Sequence, residues 1–337
     1  MRRMSLSQKL INDGNAAVDE MLAGILLAHP QHLWRPDHAP RAVIARHGPR
    51  PGKVALVIGG GSGHEPTFVG FVGRGLADAA VVGNVFASPP PQPAVDAALA
   101  AHGGAGVLFM YGNYAGDVMN FDMATELLAM EGIEARTVLT TDDIASAPDR
   151  DQRRGVAGNV FIFKVAGAAA DRMLPLNEVE RIARHANART FTMGVALSSC
   201  SLPQTRRPSF DLPAGQMEIG MGIHGEPGVR RGPLRPADDV ADELMDALLA
   251  EMGARPGDRV AVLVNSLGAT PLMELYILHA RVAARLAAAG LVVHRTLVGP
   301  YCTSLDMAGA SVTLMHLDDE LESLLDHPCD CAMFRHG

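Results

Sequence analysis

His64, Asp117 and His224 are side chains of this sequence that stand in glycine-containing turns and could exchange a proton or orient a hydroxyl. His64 follows Gly59-Gly60-Gly61-Ser62-Gly63 and precedes Glu65-Pro66. The glycines let the backbone take positive φ and approach a ligand closely. The Pro and Glu suit the first turn of a helix, whose free N–H groups can bind oxygen atoms. Gly61 to His64 therefore reads as a cradle for a small ligand, and the same residues read equally as a tight strand-to-helix turn with a capping histidine. Asp117 ends a second such turn, Gly112-Asn113-Tyr114-Ala115-Gly116-Asp117. Ligands of open α/β sheets bind beyond the carboxyl ends of the strands, so the two turns can converge, and Asp117 and His64 become candidate neighbours. An Asp ahead of a helix is also the ordinary N-cap. His224 is another histidine among glycines, in Gly222-Ile223-His224-Gly225-Glu226-Pro227-Gly228.

The elements that must hold these turns alternate between strand and helix. Val18, Met21, Leu22, Ile25 and Leu26 recur at helical spacing up to about Ala28, before Pro30. A strand is predicted at Lys53–Ile58, a helix near Thr67–Leu76 and a strand at Ala79–Val82. After the break at Pro89-Pro90-Pro91 come a helix at Ala94–Ala101, a strand at Val107–Tyr111, a helix through Met130 and a strand at Ala135–Leu139. Thr140–Arg154 is polar and predicts a surface loop, followed by helices at Val156–Met173 and Asn177–Ala188. Beyond Ala188 the expected elements are strands at Phe191–Leu197 and Met217–Met221, separated by a Pro-rich excursion. The rest predicts a helix at Ala237–Glu251, a strand at Arg259–Val264, a helix at Leu272–Ala288, and strands at Val292–Val298 and Ser311–His316. The pattern is α/β, with two domains expected at 1–188 and 189–337.

Motif and composition exclude several classes. Started at Gly59, the dinucleotide fingerprint would need glycine where His64 stands, and the phosphate loop would need Gly-Lys-Ser or Gly-Lys-Thr. A hydrolase elbow centred on Ser62 also meets His64 where its second glycine belongs. At 337 residues, 48% hydrophobic and 4% aromatic, the chain suits aliphatic cores rather than disorder. A formal charge of −8, with only Lys9, Lys53 and Lys164 as lysines, argues against nucleic acid or an acidic membrane as the main partner. Cys200, Cys302, Cys329 and Cys331 are too few and irregular for a disulfide framework, so a reducing, cytoplasmic setting is expected. Cys329-Asp330-Cys331 with His327 and His336 could hold a metal, but these residues lie in what reads as a short polar tail without a second ligand pair. Arg2 and Arg3 are followed by no uninterrupted apolar segment, and no run of about 18 apolar residues occurs, so neither export nor membrane insertion is expected.

From about Lys9 to about Asp326 the sequence resembles the substrate-binding K subunit of dihydroxyacetone kinase. The resemblance rests on Gly59 to Pro66, Asn113 to Phe121, Arg154-Gly155-Val156-Ala157-Gly158, Gly222 to Gly228, and Thr270-Pro271-Leu272-Met273-Glu274-Leu275-Tyr276. It implies two α/β domains, a homodimer, and a short ketose held covalently as a hemiaminal on His224. It further implies that Gly61, Ser62, Gly63 and His64 lie against the substrate, with His64 as general acid or base and Asp117 binding the hydroxyl that receives phosphate. Such covalent capture is chemically reasonable. A three-carbon ketose has six heavy atoms and no charge, so even about 1.5 kcal/mol per atom limits its noncovalent affinity. An imidazole can attack a ketone, an acid such as protonated His64 can protonate the alkoxide, and a carboxylate such as Asp117 can orient the terminal hydroxyl for attack on phosphorus.

Phosphoryl transfer also needs a donor, magnesium and positive charge, for which this sequence shows no module. By resemblance these belong to an L subunit carrying ADP or ATP with Mg, supplied by ATP or by a phosphotransferase-system donor. The family's common form has a lysine against the ketose where this chain has Gly112, and relatives often have histidine where it has Phe163, expected on a packed helix. The loss at Gly112 leaves room for a four-carbon or branched ketose such as erythrulose. A non-catalytic regulatory ketose sensor is the reading from a different class.

Overall fold

The computed structural model describes residues 7–337; the charged start at Arg2 and Arg3 lies outside the described residues. In chain order, α1 (Ala17–Ala28) precedes β1 (Leu33–Trp34), β2 (Ala42–Ala45), β3 (Ala55–Ser62), β4 (Gly73–Arg74) and β5 (Ala79–Val85). Next come α2 (Pro91–Ala101), β6 (Val107–Gly112), α3 (Ala115–Met130) and β7 (Ala135–Thr140). After α4 (Asn159–Asp171) and α5 (Leu176–Ala188) lie β8 (Thr190–Ala196), β9 (Gln216–Ile219) and β10 (Arg230–Pro233). Then follow α6 (Ala237–Met252), β11 (Arg259–Ser266), α7 (Leu272–Ala288), β12 (Val292–Gly299) and β13 (Gly309–Leu317). The last elements are α8 (Asp319–Leu325), β14 (Cys329–Cys331) and β15 (Arg335–His336). The class is α/β, with one six-stranded sheet in each of two units.

The chain passes between these units after Ala17, Thr141, Gly158, Ala188 and Asp318, rather than at Ala188 alone. Hydrogen bonding gives the reason. Thr192 N–H donates to the Asp142 carbonyl at 2.7 Å and Ile144 N–H to the Thr192 carbonyl at 3.0 Å, which joins residues 142–158 to β8. The buried Asp142 carboxylate accepts the N–H groups of Val156 (2.9 Å) and Gly158 (2.7 Å), so α4 begins at Asn159 and not at Val156. At the other end, the buried Lys164 ammonium on α4 donates to the Leu324 carbonyl on α8 at 3.1 Å.

In the first unit the sheet order is β1-β2-β5-β3-β6-β7, with β5, β3, β6 and β7 parallel. From β3 the chain moves to one neighbour, β5, then returns through α2 to the other, β6. The topology therefore reverses between β3 and β6, where open sheets leave a crevice at the strands' carboxyl ends. Alternate residues Val107, Phe109 and Tyr111 of β6 share one face and join a buried cluster with α2 and α3. Phe121 stacks on Tyr111 at 4.2 Å and meets Phe109 edge-on at 5.3 Å. Phe163 is wholly buried on α4, as its expected place on a packed helix implies.

The expected helix over Thr67–Leu76 does not form. That stretch gives a single 3₁₀ turn, Val69–Phe71, and then β4, which pairs antiparallel with β14. Close packing explains the difference: a Cβ on Gly73 would lie 2.3 Å from the Asp330 carbonyl oxygen and one on Gly70 3.0 Å from Met333 Cβ. Phe68 sits at φ 72°, and Val69 and Val72 favour extended backbone. The supposed polar tail is likewise ordered: β15, β14 and β4 form a small sheet, and Cys329 and Cys331 are buried as free thiols. Among the described residues no group of three or more His, Cys, Asp or Glu side chains could hold a metal ion.

The second unit has the order β10-β9-β8-β13-β11-β12, mixed, with only β11 and β12 parallel. Strand β10 has no counterpart in the sequence reading, because Arg230-Arg231-Gly232-Pro233 carries no apolar alternation and is exposed. Its core joins Val260, Val262 and Val264 of β11 and Val312 and Leu314 of β13 to Leu275, Leu278, Val282 and Leu286 of α7, which recur at helical spacing. Among the described residues no helix is long and apolar enough to cross a membrane.

Candidate functional site

The glycine run is strand before it is turn. β3 continues through Gly59, Gly60, Gly61 and Ser62, all buried. A Cβ on Gly59 would lie 2.6 Å from the Val81 carbonyl oxygen, on Gly60 2.6 Å from Phe68 Cζ, and on Gly61 2.7 Å from Ala87 N. These glycines thus answer to protein packing on β5, on the Phe68 ring and on the segment after β5. Ser62 Oγ donates to the Gly83 carbonyl at 2.8 Å, fastening β3 to β5. Gly63, at φ 104°, turns the chain out of the strand, and its N–H donates to both Glu65 carboxylate oxygens at 3.1 Å. Burial raises the Glu65 carboxyl above its usual range, with the Gly63 N–H working against that rise. His64 is buried and stacks on Phe86, with ring centroids 5.1 Å apart. Phe86 itself is held at φ 57°, and its N–H donates to the Ser62 carbonyl at 3.0 Å. The histidine is therefore fixed by a non-glycine residue in left-handed backbone, a conformation that the surroundings must enforce.

The second turn follows β6, the strand next to β3. Gly112 is the last residue of β6, in extended backbone opposite Thr140. The α3 N-cap is Tyr114, with no side-chain cap bond, and Asp117 is the third helical residue and buried. Asp117 is thus not the N-cap residue, and its carboxylate lies in the first turn, where the helix dipole favours negative charge. Asn120 Nδ2 donates to Ser88 Oγ at 3.1 Å and to the Pro89 carbonyl at 2.9 Å, which ties α3 to the segment carrying Phe86. His64 and Asp117 therefore follow adjacent parallel strands at the switch point.

His224 belongs to the other unit, in the turn between β9 and β10. Its Nδ1 is 2.9 Å from Glu226 Oε1, and its backbone N–H donates to Glu226 Oε2 at 3.0 Å. Burial would raise the Glu226 carboxyl, but the hydrogen bond and charge of His224, with Arg154 further away, bring it down to about 2. Ionised Glu226 can only accept, so Nδ1 carries the proton of this hydrogen bond. Arg154 Nη1 lies 3.8 Å from Glu226 Oε2 and Nη2 2.8 Å from Asp143 Oδ2, and Nη2 donates to the Gly220 carbonyl at 3.2 Å. Asp143 is raised to about 6, by burial first, with Arg154 opposing and Asp142 adding to the rise. On the far side, the buried Ser304 hydroxyl donates to the Ile223 carbonyl. A Cβ on Gly222 would meet Glu226 Oε2 at 2.2 Å, so glycine is what lets the carboxylate lie beneath its own turn.

Glu226, Arg154 and Asp143 were not singled out from the sequence as functional. Glu226 had a local signal, a carboxylate two residues after a histidine in a glycine turn. Arg154 stood at the head of the Arg154-Gly155-Val156-Ala157-Gly158 motif without an assigned role, and Asp143 had no signal, since both reach the turn only through the joining of residues 142–158 to β8.

Comparison with known proteins follows the same lines. The chain is 50% identical to the dihydroxyacetone-binding subunit DhaK of a PTS-dependent dihydroxyacetone kinase 2 from Listeria innocua, over 97% of this chain and 99% of that one. It is 46% identical to a D-erythrulose kinase of Mycolicibacterium smegmatis, over 98% of this chain and 57% of that longer protein. The dihydroxyacetone kinase of C. freundii, in complex with AMP-PNP and Mg2+, superposes with a TM-score of 0.87 at 36% identity, covering 98% of this chain and 61% of that one. Matched by the Dak1 domain over residues 23–333, which include His64, Asp117 and His224, the chain belongs to the Dak1 domain family.

Proposed function

We propose that this chain is the ketose-binding subunit of a dihydroxyacetone kinase, a phosphotransferase that works with a nucleotide-carrying L partner. The observation that carries the reading is the Glu226 carboxylate 2.9 Å from His224 Nδ1. In the neutral tautomer this hydrogen bond holds the proton on Nδ1, which makes Nε2 the nucleophilic nitrogen. Nε2 attacks the ketone carbon, a C–N bond forms, and the carbonyl π pair moves onto oxygen. Nδ1 keeps its proton, the imidazolium charge is balanced by the Glu226 carboxylate, and the alkoxide takes a proton from protonated His64, giving the hemiaminal hydroxyl. Asp117 then accepts the proton of the terminal hydroxyl as that oxygen attacks phosphorus. Gly61, Ser62, Gly63 and Gly112 bound the substrate. ADP or ATP with Mg belongs to the partner, as does the choice between ATP and a phosphotransferase-system donor; the relatives named for PTS dependence and for a complex with AMP-PNP and Mg2+ support that division. The subunit acts as a homodimer in the cytoplasm.

The test is mass spectrometry of the whole chain with a short ketone, followed by phosphorylation with the cognate partner. An adduct mapped to His224, absent in His224→Ala, together with partner-dependent phosphorylation supports the reading. An adduct that persists in His224→Ala sinks the covalent assignment. Capture without any phosphorylation by ATP or a phosphotransferase donor would make the chain a sensor.

A second reading is favoured by Gly112 and by the D-erythrulose kinase relative: a four-carbon or branched ketose as substrate. Gly112 is in ordinary strand conformation, so a lysine there has no positive-φ penalty to obscure the result. If the vacancy sets selectivity, Gly112→Lys shifts the kcat/KM ratio of dihydroxyacetone to erythrulose by roughly 10- to 200-fold. An unchanged ratio in a folded variant rejects this reading.

A further inference from the structure

A cavity of about 460 Å³ in the first unit is lined by Gln31, His32, His47, Arg74, Asp330 and Arg335, none of them in the glycine turns. Three of these residues form a row across the small sheet, because Arg74 on β4 and Arg335 on β15 each stand directly opposite Asp330 on β14. Directly opposed residues of antiparallel strands present their side chains to the same face. Asp330 Oδ1 lies 3.0 Å from Arg335 Nε and 3.1 Å from His32 Nε2, so one carboxylate orients two donors. Arg335 Nη2 is also 3.4 Å from His32 Nε2.

What the row leaves over is donor capacity. The side chains of Arg74, Gln31 and His47 make no hydrogen bond or ion pair among the described residues. His32 is only 6% exposed, and its buried, unpartnered Nδ1 is an acceptor when Nε2–H is given to Asp330, so it adds no donor to those of Arg74, Arg335, Gln31 and His47. Two guanidinium groups against one carboxylate leave the wall with one net positive charge. Burial, with Asp78 opposing it, lowers the affinity of His47 for a proton, so at pH 7 its imidazole is a neutral donor and acceptor. Several separate donors around one positive space fit an anion with several oxygens. A neutral polyol would make no charge-assisted hydrogen bond with the two guanidinium groups, and a single carboxylate has only two oxygens to share.

We propose that this cavity binds the phosphate group of a small phosphomonoester, with Arg74 as its anchor and Arg335 and His32, already oriented by Asp330, as its wall. The planar guanidinium fork grips two phosphate oxygens at once. The volume is that of a small-molecule pocket and leaves room for a short carbon skeleton beyond the phosphate. None of the residues assigned to ketose chemistry takes part, so the site stands or falls apart from the function proposed above.

The full chain, labelled on histidine, is titrated with inorganic phosphate, glycerol 3-phosphate, glycerol and succinate while the ring signals of His32 and His47 are followed by NMR. Glycerol 3-phosphate is expected to move both sets of signals to saturation, more tightly than inorganic phosphate, with glycerol silent and succinate weaker. Arg74→Gln should weaken binding about 10- to 100-fold, the size expected for loss of a hydrogen bond to a charged group, and Arg74→Lys should recover part of it. Because Arg74 is exposed, the variant should keep the wild-type unfolding midpoint, and Arg335→Gln provides an independent second loss. Static signals at millimolar glycerol 3-phosphate, equal binding of succinate or of inorganic phosphate, or unaltered affinity in folded Arg74→Gln would each overturn the assignment.

Discussion

At the scale of single residues, the chemistry at His224 depends on which nitrogen holds the proton, and that choice belongs to Glu226. In Glu226→Gln the amide can still accept at Nδ1, but the negative charge that stabilises a developing imidazolium is gone. Adduct formation on His224, followed by mass spectrometry over time, should slow by about 10- to 100-fold, by analogy with the loss of a carboxylate behind a metal-bound histidine. A wild-type rate would show that Glu226 merely fills space. Asp143 gives a second prediction, with a sign that can be worked out. Its folded pKa of about 6 lies above the ordinary carboxylate value, so the folded chain binds this proton more tightly than the unfolded chain does. Its contribution to stability is therefore present at acid pH and lost as pH rises from about 4 to about 6, and above that the ionised carboxylate holds Arg154. Carbon NMR of the Asp143 carboxyl should show a midpoint near 6. Removing the opposing cation in Arg154→Gln should move that midpoint higher still, and a downward shift would contradict the stated balance of burial and charge.

At the scale of elements, what could be read in the sequence was what local period and turn chemistry determine. Apolar runs gave β3, β5, β6 and β7 to within a few residues, and helical spacing gave α6 and α7, because each buries its side chains on a face set by its own geometry. The class and the two glycine turns followed from these, and so did the placement of His64 and Asp117 after adjacent strands. The failure at Thr67–Leu76 has the opposite cause: Gly73 is fitted to β14 and Gly70 in part to Met333 just after it, more than 250 positions later, and no window around them contains those partners. The Arg154 and Asp143 support of His224 escaped for the same reason. The glycines of β3 show how the distinction can be measured. A Cβ at Gly61 would come within 2.7 Å of Ala87 N and 3.0 Å of the Phe86 backbone, so main chain must move, including the residue on which His64 stacks. Gly61→Ala should destabilise the protein by about 1 to 3 kcal/mol in urea unfolding and reduce turnover as well. Gly24 in α1 has nothing within 4 Å of a built Cβ, so Gly24→Ala should stabilise by about 0.5 to 1 kcal/mol. Equal effects at the two positions would mean that the glycines of β3 are not packing residues.

At the scale of the whole molecule, two kinds of chemistry separate. Capturing a neutral ketose requires an oriented nucleophile and proton donors, and the glycine turns supply residues of those types. Moving a phosphoryl group requires magnesium, a cradle for the nucleotide phosphates and positive charge where negative charge gathers. The sequence has neither a phosphate loop nor a magnesium pattern, and its formal charge is −8. The D-erythrulose kinase relative, of which this chain spans 57%, has further sequence in which such parts could reside. The chain by itself should therefore take up a ketone, seen as a mass increase equal to the ketone, while failing to phosphorylate it with ATP and Mg. Adding an L subunit with its donor should start turnover, at a rate that rises with partner concentration and saturates as the complex fills. The adduct and the turnover should be separable: Asp117→Asn should keep the mass increase yet lower partner-dependent turnover by roughly 10²-fold or more, the range for a lost general base. Phosphorylation by the isolated chain would place the donor chemistry in these residues after all, and an Asp117→Asn variant with full turnover would remove the carboxylate from the transfer step.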